Sequence, residues 1–402
     1  MSNAFHLMAK PTSFNCNIDC DYCFYLEKEN QFERRESAKP TQGMSDEILS
    51  AYIKNYINSQ ATSEVEFAWQ GGEPTLAGLG FYKKAILLQK RFAKGKKIRN
   101  SLQTNGLLLT DEWCEFLKEN NFLIGISIDG PEDLHNAYRV TKTGKPTFTK
   151  VMLAIERLKK YQLPFNTLTV VNNINVKQPK DVYQFLKSIG AEYQQYIPVV
   201  ESRMLQGVSN LDNLIASSAS RDCLPFSVDA EAFGNFMIHI FDDWVRNDVC
   251  EIYIQLFESA LAAWSGREPS QCIFKKTCGD AMVIEQNGDI YSCDHYVYQD
   301  HKIGNVLKTR LGKICGSKQQ IRFGKNKANL SSICQQCPYL FACNGDCPKH
   351  RLLTDKEGIP HSILCDGYKN IFSHLDKPMR FMANELAHGR PANGVMSVVN
   401  SL

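Results

Sequence analysis

The chain has 402 residues, 46 Lys+Arg against 43 Asp+Glu, and 15 cysteines. That length allows two or three domains that bury their own cores, so the cysteines are not needed as staples. A net charge of +3 with interspersed signs offers no basic stripe for a phosphate backbone, and no apolar run approaches a membrane span; neither nucleic acid nor a membrane is expected as partner.

The N-terminus lacks an apolar stretch followed by a small-residue cleavage site, so a cytoplasmic protein is expected. In a reducing compartment, fifteen thiols point to metal binding or catalysis rather than to disulfides. Strand-like runs fall at residues 5–10, 64–69, 98–103, 122–128, 165–171 and 193–200. Between them lie amphipathic stretches. Over 45–59, Ile48, Leu49, Tyr52, Ile53, Tyr56 and Ile57 share one face behind a Ser45 cap, and Thr110 opens another with Trp113, Phe116 and Leu117 inward. Residues 179–190 show the early Pro and late Gly of a helix. Repeated strand-then-helix order predicts a parallel sheet, and six units suit a partial (β/α)6 TIM-like barrel with ligands at the strands' carboxyl ends.

A polar stretch over 201–228 reads as a loop, and residues 231–264 carry helical periodicity through Phe233, Phe236, Met237, Ile240, Phe241 and Trp244. Beyond it, nine of the fifteen cysteines fall between Cys272 and Cys365, beside an Asn287-Gly288 hairpin signal. The expected domains are a barrel at 1–230, a helical connector at 231–270, a small cysteine-rich domain at 271–375, and a C-terminal helix and tail at 376–402, loosely held after Pro391.

Cys16, Cys20 and Cys23 form C-x3-C-x2-C immediately after the first strand. Three thiolates leave one iron of a 4Fe-4S cluster without a protein ligand, which is where a substrate or cofactor can bind. Zinc would want a fourth ligand, and none follows before Cys114. The motif resembles that of the radical S-adenosylmethionine (SAM) enzymes. Gly71-Gly72-Glu73-Pro74, an ordinary turn when taken alone, then resembles the motif that holds the SAM methionyl amine. By the same resemblance Tyr22, Gly72, Glu73, Ser127, Arg139 and Val200 are expected at SAM; the alternatives are strand-end packing for Ser127 and Val200 and a solvated charge for Arg139. Gln103-Thr104-Asn105-Gly106 at the end of the third strand either orients a substrate backbone or caps a turn, and a turn is the simpler reading.

In the second domain, C-x9-G-x4-C at Cys278 and Cys293, then C-x2-C-x5-C-x3-C at Cys334, Cys337, Cys343 and Cys347, and finally Cys365, match the SPASM domain of peptide-modifying radical SAM enzymes. Cys272 supplies an eighth thiolate, enough to close two 4Fe-4S clusters. Spacing alone leaves a zinc ribbon open for part of this set.

Within that group the chain resembles the anaerobic sulfatase-maturating enzymes, from Lys10-Pro11 through Cys20-Asp21-Tyr22-Cys23-Phe24-Tyr25, Trp69-Gln70-Gly71-Gly72-Glu73-Pro74-Thr75, Tyr196-Ile197-Pro198 and Cys293-Asp294 to Cys365. The resemblance implies one auxiliary cluster on Cys272, Cys278, Cys293 and Cys347 and a second on Cys334, Cys337, Cys343 and Cys365. With the cluster on Cys16, Cys20 and Cys23 this makes three 4Fe-4S clusters plus SAM. Cys114, Cys223, Cys250 and Cys315 are left to packing or surface.

It also implies a reaction: a 5'-deoxyadenosyl radical removes a Cβ hydrogen from a cysteine or serine of an unfolded or nascent sulfatase segment, Asp294 accepts a proton, and Cα-formylglycine results. A low-potential electron donor is required. Other expectations from the same residues are a maturase that crosslinks a ribosomal peptide and, in another class, a non-catalytic metal-binding interaction module.

Overall fold

A computed structural model describes residues 5–25, 28, 43–202 and 223–401. The strands in chain order are β1 (His6–Lys10), β2 (Ile18–Cys20), β3 (Glu64–Trp69), β4 (Lys97–Thr104), β5 (Phe122–Ser127) and β6 (Arg139–Thr141). They continue with β7 (Phe165–Val171), β8 (Tyr193–Pro198), β9 (Tyr253–Ile254), β10 (Ala281–Glu285), β11 (Asp289–Tyr291) and β12 (Lys302–Asn305). Strands β1, β3, β4, β5, β7 and β8 pair in parallel in that order, as the alternation of strand and helix predicts, so their carboxyl ends share one face.

The helices form where the sequence has both a cap and an apolar stripe. Ser45 Oγ accepts from Ile48 N at 3.3 Å at the head of Asp46–Ser59, whose buried face is Leu49, Tyr52, Ile53, Tyr56 and Ile57. Tyr52 Oη donates to Leu7 O at 2.8 Å and seats that helix on β1. Thr110 Oγ1 likewise accepts from Trp113 N at 3.4 Å.

Two arrangements differ from the domain picture drawn above. The cysteine-rich region does not build its own sheet at β10: this strand pairs in parallel with β1, bringing Lys10 opposite Glu285, and β11 and β12 extend the same ten-stranded sheet. A parallel edge partner distant in sequence leaves no local pattern, which is why the hairpin signal alone suggested an independent unit. The C-terminal helix begins at Cys365 and runs to Ala387, crossing the connector helix Ala230–Asn247 so closely that a Cβ on Gly367 would lie 2.1 Å from Ala230 O. The stretch after Pro391 is not loosely held, because Ala392 and Val395 are buried. The loop expected over 201–228 lies largely outside the described residues; its ends meet in a bridge between Ser202 and Cys223. No helix among the described residues is long and apolar enough to cross a membrane.

Candidate active site

Cys16, Cys20 and Cys23 lie in the loop that leaves β1 at the carboxyl end of the sheet. Cys20 ends β2, which pairs antiparallel with β6 and sets Cys20 opposite Arg139. The three cysteines pack in one apolar cluster with Ile18, Tyr22 and Val199. Burial raises the Cys16 thiol to about 11 and pushes Cys20 up further, while the neighbouring Cys23 adds to both. Iron would therefore displace protons from neutral thiols on binding.

The Gly-Gly-Glu-Pro loop after β3 is pressed against the segment leading into this motif. Gly72 N donates to Ser13 O at 2.7 Å and Glu73 N to Asn15 O at 2.8 Å. A Cβ on Gly72 would meet Asn15 O at 2.1 Å, so the close approach that requires glycine is, in this structure, an approach to the chain itself. The Glu73 carboxylate is fully buried. It accepts from Thr75 N at 3.0 Å, Thr104 Oγ1 at 2.7 Å and Asn105 N at 2.8 Å, and burial raises its pKa against those hydrogen bonds. Asn105 Nδ2 also donates to Asn17 Oδ1 at 2.7 Å, and its Oδ1 accepts from Leu107 N at 3.1 Å. Asn105 thus shapes its own turn and braces the cysteine loop together.

Tyr22 and Arg139 belong to one buried set. Tyr22 Oη donates to Asp129 Oδ2, and Arg139 holds the same carboxylate through Nε at 3.0 Å and Nη2 at 3.1 Å. Arg139 is not a solvated charge: it is 7% exposed, with its guanidinium 5.5 Å from the Tyr22 ring centre. The Tyr22 ring lies edge-on to Tyr138 and Phe226. Ser127 Oγ accepts from Gln103 Nε2 at 3.1 Å, and Val200 is buried after β8.

The eight cysteines expected to hold the further clusters fall into two neighbourhoods. Burial raises the Cys278 thiol to about 11 and the Cys347 thiol to about 12; Cys272 adds to both, and Cys347 and Cys272 add to the burial of Cys293. Cys272, Cys278 and Cys293 also line one cavity of about 430 Å³ with His6 and Glu66. In the second neighbourhood, burial lifts Cys365 to about 11, with Cys334 and Cys337 adding, and Cys343 rises further through burial, Asp346, Cys365 and Cys334. Cys272, Cys278, Cys293 and Cys347 thus act on one another, as do Cys334, Cys337, Cys343 and Cys365, with Asp346 acting on both Cys343 and Cys347. No trio of His, Cys, Asp or Glu among the described residues closes around a single metal ion, a geometry that a cluster spreading its thiolates over several irons does not demand. None of the fifteen cysteines forms a disulfide; Cys114 is buried and Cys250 exposed.

Asp294 joins these parts. It follows Cys293 in a single 3-10 turn, and its Oδ1 lies 2.6 Å from Lys10 Nζ at the end of β1. The same ammonium donates to Gln70 Oε1 at 3.1 Å and stands 4.7 Å from the Tyr25 ring centre. Tyr25 Oη donates to Glu285, whose carboxyl is raised by burial. His295, next to Asp294, is held neutral with a pKa of about 3 by burial and by the Lys349 ammonium. Lys349 in turn pairs with Glu201 at 2.6 Å, tying the end of β8 to the cysteine-rich region. Sequence reasoning missed the roles of Lys10, Gln70, Glu285 and Lys349. Lys10 and Gln70 do lie in stretches that carry the resemblance, and a cation ending a strand that is otherwise His-Leu-Met-Ala was a further sign.

Residues 11–186 match the radical SAM superfamily, and residues 272–338 match an iron-sulfur cluster-binding domain, SPASM. The chain is 45% identical over 391 residues to the serine-type anaerobic sulfatase-maturating enzyme of Bacteroides thetaiotaomicron, covering 96% of this chain and 94% of that one. It is 30% identical to the cysteine-type enzyme of Clostridium novyi, over 95% and 98% of the two chains. It superposes on native anSMEcpe solved with bound AdoMet and the Cp18Cys peptide with a TM-score of 0.82, at 30% identity, over 95% of this chain and 100% of that one.

Proposed function

Since the chain belongs to the anaerobic sulfatase-maturating enzymes, a radical SAM family, we propose that it oxidises a serine or cysteine of a sulfatase polypeptide to Cα-formylglycine. The observation that carries this reading is the meeting of Asp294 with the end of β1 at 2.6 Å, between the open-site cysteine loop and the first auxiliary set. Cys16, Cys20 and Cys23 would hold the cluster that leaves an iron for SAM, and the two sets of four would hold closed clusters, three in all.

When bound, cluster and SAM supply one-electron cleavage of SAM and hence the acceptor of a Cβ hydrogen atom. The chain supplies the rest. Gly72, Glu73, Tyr22, Ser127, Arg139 and Val200 frame the SAM pocket, with Arg139 and Glu73 acting from within the buried networks described above. Asp294 takes the hydroxyl or thiol proton. Turning CH2–OH into C=O removes one hydrogen atom, one proton, which Asp294 would take, and one electron, for which clusters held by the two sets of four cysteines would supply an acceptor. A cysteine gives C=S, which water converts to the aldehyde with release of sulfide. Ile18, Val199 and the Tyr22–Tyr138–Phe226 rings pack around the cysteine loop and would help exclude water from the reacting Cβ. A low-potential donor must deliver the electron that cleaves SAM.

The reading is tested by incubating anaerobic, reduced, iron-loaded enzyme with SAM and sulfatase-motif peptides carrying serine or cysteine. Higher identity to a serine-type relative makes the serine peptide the first to try. An aldehyde peptide by mass spectrometry is expected. SAM consumption with both peptides unchanged would refute the substrate assignment.

A further inference from the structure

We propose that Lys10 is a positioning residue that aims Asp294 at the substrate, an inference that rests on the formylglycine reading above. Lys10 ends β1 with a side chain 1% exposed, and its ammonium is surrounded by groups from three other segments: Asp294 Oδ1 at 2.6 Å, Gln70 Oε1 at 3.1 Å and the Tyr25 ring at 4.7 Å. A cation so deeply buried is strongly unfavourable unless an anion pairs with it, so the pair is held together by the fold on both sides.

Asp294 itself opens a turn of three residues, and its carboxylate is paired with the Lys10 ammonium at 2.6 Å. Asp294 Oδ1 is sealed from solvent while the side chain as a whole is 19% exposed, so its exposure lies on the remaining atoms, away from Lys10. One carboxylate oxygen is thereby held in the ion pair with the end of β1, and the solvent exposure of the side chain falls on its other atoms.

In the oxidation, the Cβ hydrogen atom would go to a SAM-derived radical and the electron to clusters held by the two cysteine sets, while the hydroxyl proton goes to the Asp294 carboxylate. Lys10 gains and loses nothing. Its contribution is to hold Oδ1 in place, and with it the Gln70 amide, so that the second oxygen receives the proton as the C=O bond forms. An Asp294 free to turn would let hydrogen abstraction go ahead while proton removal lagged, and SAM would be cleaved without aldehyde.

The test compares wild type, Lys10→Met, Asp294→Asn and the double variant for iron content, SAM consumption and aldehyde formed per 5'-deoxyadenosine. Lys10→Met is expected to keep its iron and to cleave SAM, with the aldehyde ratio lowered about tenfold or more. Because Lys10 acts through Asp294, the double variant should be no worse in this ratio than Asp294→Asn alone. A wild-type ratio in Lys10→Met, or losses that multiply in the double variant, would overturn the proposal. If Lys10→Met loses iron, Lys10→Arg decides: a retained ratio supports positioning by the cation, and iron loss in both variants means a purely structural role. A wild-type enzyme that makes no aldehyde from either peptide overturns the functional reading and this proposal with it. A working wild type beside an unaffected Lys10→Met overturns this proposal alone.

Discussion

Gly72→Ala isolates the contact on which the active-site loops depend. The Gly72 backbone is not in the left-handed region, so alanine brings no conformational penalty of its own, only a methyl group. That methyl would stand 2.1 Å from Asn15 O, 2.5 Å from Asn15 C and 2.6 Å from Phe14 O, where ordinary contact begins at 3.4 Å. All three are backbone atoms, so no side chain can turn aside; the two loops must part by more than an ångström. Such a shift breaks the bonds from Gly72 N to Ser13 O and from Glu73 N to Asn15 O, each contributing about 1 kcal/mol. It also drags the Glu73 carboxylate from its donors on β4, for a combined loss of about 2–4 kcal/mol. Thermal unfolding of the anaerobic, iron-loaded protein should show the lower midpoint, with weakened SAM binding because the displaced segment leads into Cys16. Gly80→Ala is the control, since nothing lies within 4 Å of its Cβ, and it should be neutral or slightly stabilising. Equal midpoints and SAM affinity for Gly72→Ala and wild type would show that the loops are not locked together as described.

Asp294→Asn should leave iron content intact and lower aldehyde formation about a hundredfold or more, as measured by mass spectrometry of the peptide. Cys272→Ala should reduce iron from about twelve to about eight per chain, whereas Cys250→Ala, at an exposed thiol, should leave it unchanged. His135 is buried with its pKa lowered from 6.5 to about 3 by burial and by the Arg139 guanidinium. Its Nδ1 accepts from Asp129 N at 3.4 Å, which leaves Nε2 to donate to Thr147 Oγ1 at 3.0 Å and makes a second ring proton unwelcome. With the folded pKa below the unfolded one, its stability contribution is present above pH 6.5 and fades as pH falls toward 3, by up to about 1.4 kcal/mol per pH unit. His135→Gln should flatten that slope in unfolding midpoints measured between pH 7 and 5.

The strands β1, β3, β4, β5, β7 and β8 were readable in the chain because a buried strand and an amphipathic helix are written by neighbouring residues, and the caps Ser45 and Thr110 by residues three positions from their partners. The short ribbon of β2 and β6 was not, since three-residue strands are below any periodicity, and their pairing is what seats Cys20 beside Arg139. Arg139 shows the difference at one residue. Its charge suggested either solvent or a ligand, and the fold gives it Asp129 and Tyr22 as buried partners.

By itself, the sequence determined the barrel's strand-helix order and the spacing of its cysteines, because helix and strand periods and residue spacing are local properties. Only the tertiary structure decided that β10 closes on β1, that Gly72 serves the backbone before Cys16, and that Lys10 meets Asp294. Edge pairing, close backbone approach and buried ion pairs join segments far apart in the chain, and nothing in either segment alone records its partner.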